Sequence, residues 1–350
     1  MACKRSGVQF PSAPPLALCG KTVPQNNGNY DGKMPLVTIV MRTYERPVLL
    51  ARAVASVCGQ TFSNWELIIV NNGGTPEPID HIVRLAKTSY PTADITVLHL
   101  SERVGMEEAS NNGLAASSSE YFAIHDDDDS WKPEFLEVAV QHMEKNPHAS
   151  AIVTGVVRVH ETFINSRVWP VRNEKFYLTQ ERLTFEGMIG NNTFPPIAAL
   201  FRRSLLPQVG MFDASLPVLG DWEFNLRALE NGPFVFVPER LASYHTRTTD
   251  SDVAAGNSIT VGQTLHQQVK TQLQQRWDSE PGRNGVSKGE CSRRAAAELD
   301  AEDARRTEAE RAAQPSGGMT AKVARVLRTA KRPRAAGRAV VRRVRAQVGR

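Results

Sequence analysis

Between Pro35 and about Tyr244 the chain alternates short apolar runs with amphipathic stretches, and this alternation limits its possible folds most. "LVTIVM", "WELIIV", "DITVLHL", "EYFAI" and "SAIVTGVVRV" read as strands. "RPVLLARAVASVCGQ", "PIDHIVRLAKTSY", "MEEASNNGLAASS" and "PEFLEVAVQHMEKN" read as the helices between them, with Pro47 and Pro133 in first turns, where a missing N–H costs nothing. Strands apolar on both faces and separated by helices predict an α/β fold, a mostly parallel sheet covered by helices on both faces. Ligands of such sheets sit beyond the carboxyl ends of the strands. Further on, "PIAALFRRSLLPQVG" predicts a strand and a short helix, "DWEFNLRALENG" a helix closed by Gly232, and "PFVFVPERLASYHTR" two short strands.

The flanks differ from this body. Residues 1–33 are rich in Pro, Gly and Asn without periodicity and predict a disordered lead, with Met34 as the expected start. The domain itself is expected over 34–250. A helical, charged extension is expected over 251–314: "TLHQQVKTQLQQRW" as a helix, "DSEPGRNGVSKGE" as a loop and "RRAAAELDAEDARRTEAERAA" as a charged, Ala-rich helix with little to bury. From 315 to 350 lies a basic tail: from Met319 onward it holds Lys322, Arg325, Arg328, Lys331, Arg332, Arg334, Arg338, Arg342, Arg343, Arg345 and Arg350 and no acid. The net charge of +5 is therefore a property of the tail, since the rest is net negative without it. Valines among the arginines suit an amphipathic helix on an anionic membrane surface; a solvated tail and nonspecific nucleic-acid binding are the alternatives. Apolar runs such as "LIIV" are far too short to cross a bilayer, so a cytoplasmic protein is expected, either soluble or peripheral on the inner face of the membrane. Four cysteines without metal-ligand spacing point to a reducing compartment and no disulfide framework.

"IHDDDDSW" places four carboxylates, Asp126 to Asp129, directly after a buried-type strand. Like charges so close cannot enter a core unpaired. Either they form a solvated turn capping the helix that follows Lys132, or something strongly positive sits beside them.

"VTIVMRTYERPVLLARAVASVCGQTFSNWELIIVNNGG", "HDDDDSW" and "GDWEFNLR", in that order, resemble the family 2 glycosyltransferases of GT-A fold, over roughly Pro35 to Arg247. The resemblance implies a Rossmann-like GT-A sheet and an inverting, metal-dependent transfer. A sugar would pass from a nucleoside-diphosphate donor to a hydroxyl of a saccharide or glycolipid, in cell-envelope or extracellular polysaccharide synthesis. The family's Asp-x-Asp-Asp-x-Trp pattern falls on Asp126, Asp128, Asp129 and Trp131, with Asp127 at the variable position. It implies Asp128 as ligand of Mn²⁺ or Mg²⁺, a hard cation suited to carboxylate and phosphate oxygens, and Asp126 as ribose or water-shell partner. Thr43, Tyr44 and Glu45 match the family's Thr-Tyr-Asn, which lines base and ribose, with Glu45 departing. Asn71 and Asn72 of "NNGG" replace an Asp-Asp that reads the base. Ser110 and Asn111 replace an Arg-Asn pair near the phosphates, so another group must offset phosphate charge. Asp221 matches the catalytic base of Glu-Asp-Trp, with Gly220 in place of the Glu; an ordinary helix N-cap is its alternative role. Trp222 reads as core. His245 matches a histidine near the metal or diphosphate.

Two other functions remain open at this point. A nucleotidyltransferase would want a Gly-rich phosphate loop after the first strand, and "MRTYERP" has no glycine. A membrane or nucleic-acid binding protein governed by its tail leaves "HDDDDSW" and "GDWEFNLR" unexplained; no specific nucleic acid is expected.

Overall fold

The computed structural model describes residues 34–164, 167–247, 263–281 and 285–313; the N-terminal lead and the basic tail lie outside them. The chain divides into two units, Met1–Met34 and Pro35–Arg350, and every element below belongs to the second.

Four strands run parallel in the first half: β1 (Val37–Thr43), β2 (Trp65–Asn71), β3 (Asp94–His99) and β4 (Tyr121–Asp126). Helices α1 (Pro47–Cys58), α2 (Pro76–Ser89) and α3 (Met106–Ala115) connect them. The central strand β1 buries nearly every residue, as a strand covered on both faces must. In α1, Leu49, Leu50, Ala53, Val54 and Val57 recur at helical spacing and are all buried.

After β4 come β5 (Ser130–Trp131), α4 (Phe135–Lys145), β6 (Ala151–Ile164), β7 (Arg167–Lys175), α5 (Phe185–Met188) and β8 (Ala199–Arg202). Then follow α6 (Leu206–Val209), α7 (Gly220–Asn231) and β9 (Phe234–Arg247). The nine-stranded sheet has the order β3-β2-β1-β4-β8-β6-β9-β5, and β7 pairs with β6. Phe122, Phe201, Phe212, Phe224 and Phe234 pack ring against ring beneath α7, with neighbouring centroids 4.3 to 6.3 Å apart. Each such buried aromatic is worth about 1.5–3 kcal/mol of transfer free energy.

One expectation is corrected. "PFVFVPERLASYHTR" forms a single strand, β9, not two. Pro238 cannot donate to a ladder, but the pairing with β6 steps from Thr154↔Val237 to Gly155↔Arg240, so Pro238 and Glu239 bulge out and the strand continues. A Cβ on Gly155 would lie 2.8 Å from the Pro238 carbonyl oxygen, so only glycine fits opposite the bulge.

Two further helices, α8 (Gln263–Arg276) and α9 (Lys288–Ala313), pack on this body. From α8 and the turn after it, Val269, Leu273 and Trp277 are buried, and Trp277 meets Trp222 edge to face at 5.3 Å. Trp222 is fully buried and donates to the Met188 carbonyl, a core residue as expected. The charged α9 also buries Ser292 and packs Ala295 against the core. Among the described residues, no helix is long and apolar enough to cross a membrane.

Candidate active site

The aspartate turn is held from both sides. Asp126 ends β4 and stands opposite Arg42 of β1 in the ladder. The next three residues cross to β5, whose Ser130 and Trp131 pair with Ser243 and Ala242 of β9. Trp131 anchors this crossing by stacking on Phe135 at 4.2 Å and donating to the Ile197 carbonyl at 2.7 Å. The turn is not solvated: Asp127 and Asp129 are fully buried and Asp128 is 5% exposed.

Arginines supply the opposing charge. Arg42 Nε donates to Asp126 Oδ1 at 2.9 Å. Arg46 lies 2.8 Å from Asp127 and 3.3 Å from Asp128. Arg247 bonds Asp128 and also Glu161 at 3.2 Å, and Arg52 reaches the Asp128 carbonyl and Glu161. Burial pushes the Asp126 carboxyl up, but the Arg42 charge and hydrogen bond outweigh it and leave the group below the usual range. Asp127 is pushed up to about 7, by burial first, with Arg46 opposing and Asp128 adding to it. Asp129 is pushed well above its ordinary range by burial and by Asp128 and Asp126.

A cavity of about 500 Å³ opens beside Asp126, and Asp221, Arg42, Glu107 and Asn192 line it too. Asp221 is the second residue of α7; Leu219, in left-handed conformation at φ 65°, precedes the helix. So Asp221 is not the N-cap. Asn192 Nδ2 donates to Asp221 Oδ2 at 2.6 Å, and the Asn192 side-chain Oδ1 is buried without a hydrogen-bond partner among the described residues. Burial raises the Asp221 carboxyl, opposed by the Asn192 hydrogen bond and the Arg42 charge.

Gly220 is explained by Glu107. A Cβ on Gly220 would lie 2.4 Å from the Glu107 carboxyl carbon, so the carboxyl of α3 occupies that space. Arg42 Nη1 donates to Ser110 Oγ at 3.0 Å and to the Met106 carbonyl at 3.3 Å, and lies 3.5 Å from Glu107. The cation absent at position 110 is thus matched by one delivered from β1. Burial raises the Glu107 carboxyl to about 7 against the pull of Arg42. Its neutral form favours the fold, so that contribution is full below the unfolded-state value and lost as pH rises through about 7. Glu107→Gln, neutral throughout, should therefore gain in melting temperature relative to wild type between about pH 5 and about pH 8. A difference that stays flat or shrinks would contradict this reading.

Other expected contact residues hold the scaffold. Asn71 pairs with the Gly74 backbone in both directions and meets His99 at 3.0 Å. Asn72 pairs both ways with the Val104 backbone, and Asn111 with that of Phe212. Glu45 is exposed and accepts from the Thr75 N–H at 2.6 Å and hydroxyl at 2.9 Å, tying the turns after β1 and β2. The Thr75 N–H and then its hydroxyl hold the Glu45 carboxyl below the usual range. Thr43 donates to Asp127 at 2.6 Å; Tyr44 is 37% exposed under the Arg103 guanidinium. Both ring nitrogens of His245 are engaged, Nδ1 with Glu161 at 2.6 Å and Nε2 with Ser130 at 2.8 Å, while its N–H donates to Asp129. Only Asp126 and Asp221 of the expected residues line the cavity.

Arg42, Glu107 and Asn192 escaped the sequence reading. Arg42 stood inside "MRTYERP" with nothing to mark it, and Asn192 lies in a stretch without a motif. As for a metal, among the described residues no three His, Cys, Asp or Glu form a group that could hold an ion. Of the turn's carboxylates, Asp126 lines the cavity, whereas Asp128 is bonded by Arg46 and Arg247; a hard divalent cation here would need one or two such carboxylates completed by substrate phosphates.

The Glycosyl transferase family 2 model matches residues 38–210. The glycosyltransferase YwdF of Bacillus subtilis (strain 168) is 30% identical over 197 residues, 56% of this chain and 68% of that protein. WcaA of Escherichia coli (strain K12), named for colanic acid biosynthesis, is 31% identical over 55% of this chain and 66% of its own. The mannosyltransferase PcManGT from Pyrobaculum calidifontis, solved with GDP-Man and Mn²⁺, superposes with TM-score 0.51 at 16% identity, covering 87% of this chain and 84% of its own, a likeness of fold. Strand order, acidic turn and relatives agree: this chain belongs to glycosyl transferase family 2, with the GT-A fold.

Proposed function

We propose that the chain is an inverting transferase that moves a sugar from a nucleoside-diphosphate donor to a hydroxyl of a saccharide or glycolipid. The observation that carries this is the shared cavity of Asp126 and Asp221, with Arg42 between their charges. Asp221 takes the acceptor proton as the oxygen attacks C1 from the face opposite the diphosphate, so one displacement suffices. Asn192 fixes the carboxylate through one oxygen, and the Trp222 N–H also bonds it, so the group that takes the proton is held in place. Asp126, clamped by Arg42, presents its 27% exposed side chain to a donor hydroxyl. Mn²⁺ or Mg²⁺, held by Asp128 and the donor's phosphates, would supply charge stabilisation for the departing diphosphate. His245 would support the turn through Asp129 rather than bind the ion. Thr43, Tyr44 and Glu45 would border the nucleotide, with Asn71, Asn72, Ser110, Asn111 and Asp127 shaping its pocket from behind. The names of relatives favour cell-envelope polysaccharide as the setting. Contact of the tail with a membrane rests on its sequence.

Thermal shift with UDP, GDP, dTDP and CDP, each with Mn²⁺, tests the reading. One nucleotide should raise the melting temperature, because ligand at about a hundred times its Kd adds about 2.7 kcal/mol. No shift with any of the four at millimolar concentration would sink the proposal.

A further inference from the structure

The cavity that holds Asp221 also holds two cations the proposed reaction does not use. Arg158 comes from β6 and Lys270 from α8. Both are half-buried, and among the described residues neither makes a hydrogen bond or ion pair. Arg158 lies over the Phe176 ring at 5.0 Å with its Nε buried and without an acceptor. Lys270 lies 5.9 Å from the Trp222 ring, and burial lowers its pKa against the pull of Asp300. Glu174 feels the Arg158 charge but is bonded to His160 and Arg172. A half-buried cation that no carboxylate contacts directly is costly, and an anionic ligand bonded to it offsets that cost.

The position of these cations favours one source of the anion. Arg158, Phe176, Asn191 and Asn192 also line a second cavity of about 300 Å³, where Lys175 and Arg182 add positive charge and Glu174 and Asp300 negative. No residue of the aspartate turn lines it. The path from Asp126 past Asp221 and Asn192 thus leads away from the donor's end.

We infer that Arg158 and Lys270 bind an acidic group, a carboxylate or phosphate, on the sugar acceptor. This rests on Asp221 facing the acceptor, as proposed above. It makes α8, outside the family match at 38–210, part of substrate recognition.

The test is calorimetry on the full chain with a bound nucleoside diphosphate, titrating methyl glucuronide against methyl glucoside, and glucose 6-phosphate against glucose. At least one charged sugar should bind about tenfold more tightly than its neutral match, since hydrogen bonds to charged groups are the stronger ones. Arg158→Gln and Lys270→Gln should each remove most of that preference while nucleotide affinity and melting temperature hold. Equal binding of charged and neutral sugars would overturn the inference, as would a preference that survives the double variant. Loss of nucleotide affinity in these variants would assign the cations to the donor diphosphate and overturn it too. Those outcomes leave the transferase reading standing; wild type that binds no nucleotide would overturn both.

Discussion

Asp221→Asn should lose at least about a hundredfold in transfer rate, within the about 10²–10⁴-fold range of general-base assistance, and keep its donor affinity. The structure makes this substitution clean. Asn192 Nδ2 donates to one Asp221 oxygen, and an asparagine carbonyl accepts the same bond. The residue is not the helix cap, and an asparagine carbonyl can also accept the Trp222 N–H, so α7 should form in the variant with only a small loss from the first-turn charge. What disappears is the capacity to take a proton, together with one charge near Arg42. Because the acceptor's proton moves only as the new bond forms, kcat falls while nucleotide binding does not. Rate and nucleotide affinity measured on one preparation decide it. Near-normal turnover would defeat the assignment, and so would a loss of rate matched by a loss of folded protein.

Asp128→Asn should abolish the gain in nucleotide affinity that Mn²⁺ gives and leave the metal-free affinity nearly unchanged. Asparagine is the informative choice. Arg247 is 2% exposed and bonded to both Asp128 and Glu161, so Asp128→Ala removes one partner of a buried pair. Such removal costs about 3–5 kcal/mol and would confuse folding with metal binding. An amide oxygen at position 128 still accepts from Arg247, though it binds a hard cation poorly. A chelator added to wild type should reproduce the variant's affinity. Asp127→Asn should have a smaller effect on the Mn²⁺ increment, since Asp127 is fully buried against Thr43 and Arg46. Equal Mn²⁺ increments in wild type and Asp128→Asn would remove Asp128 from the metal site.

Strand–helix alternation, the place of the acidic turn at a strand end and the helix beginning near Asp221 were legible in the sequence, because periodicity and first-turn prolines are local properties of the chain. So was the family, carried by three motifs in order. The charge balance of the site was not legible. Arg42 meets Asp126 only because β1 and β4 are neighbours in register, although 84 residues separate them in sequence. Gly220 looked like the loss of a carboxylate, yet Glu107 fills its space from another helix. Asn71, Asn72 and Asn111 read as ligand contacts because their residue types allow it, whereas Asn71 is bonded to the Gly74 backbone and His99, and Asn72 and Asn111 to the distant backbone of Val104 and Phe212. The Gln-rich α8 offered little apolar surface to read, and the packing of Trp277, just after it, against Trp222 gave the helix its place and Lys270 its cavity. Local pattern determined the elements and the order of the motifs. Long-range juxtaposition, which no spacing encodes, decided which charges face one another and which cations remain for a ligand.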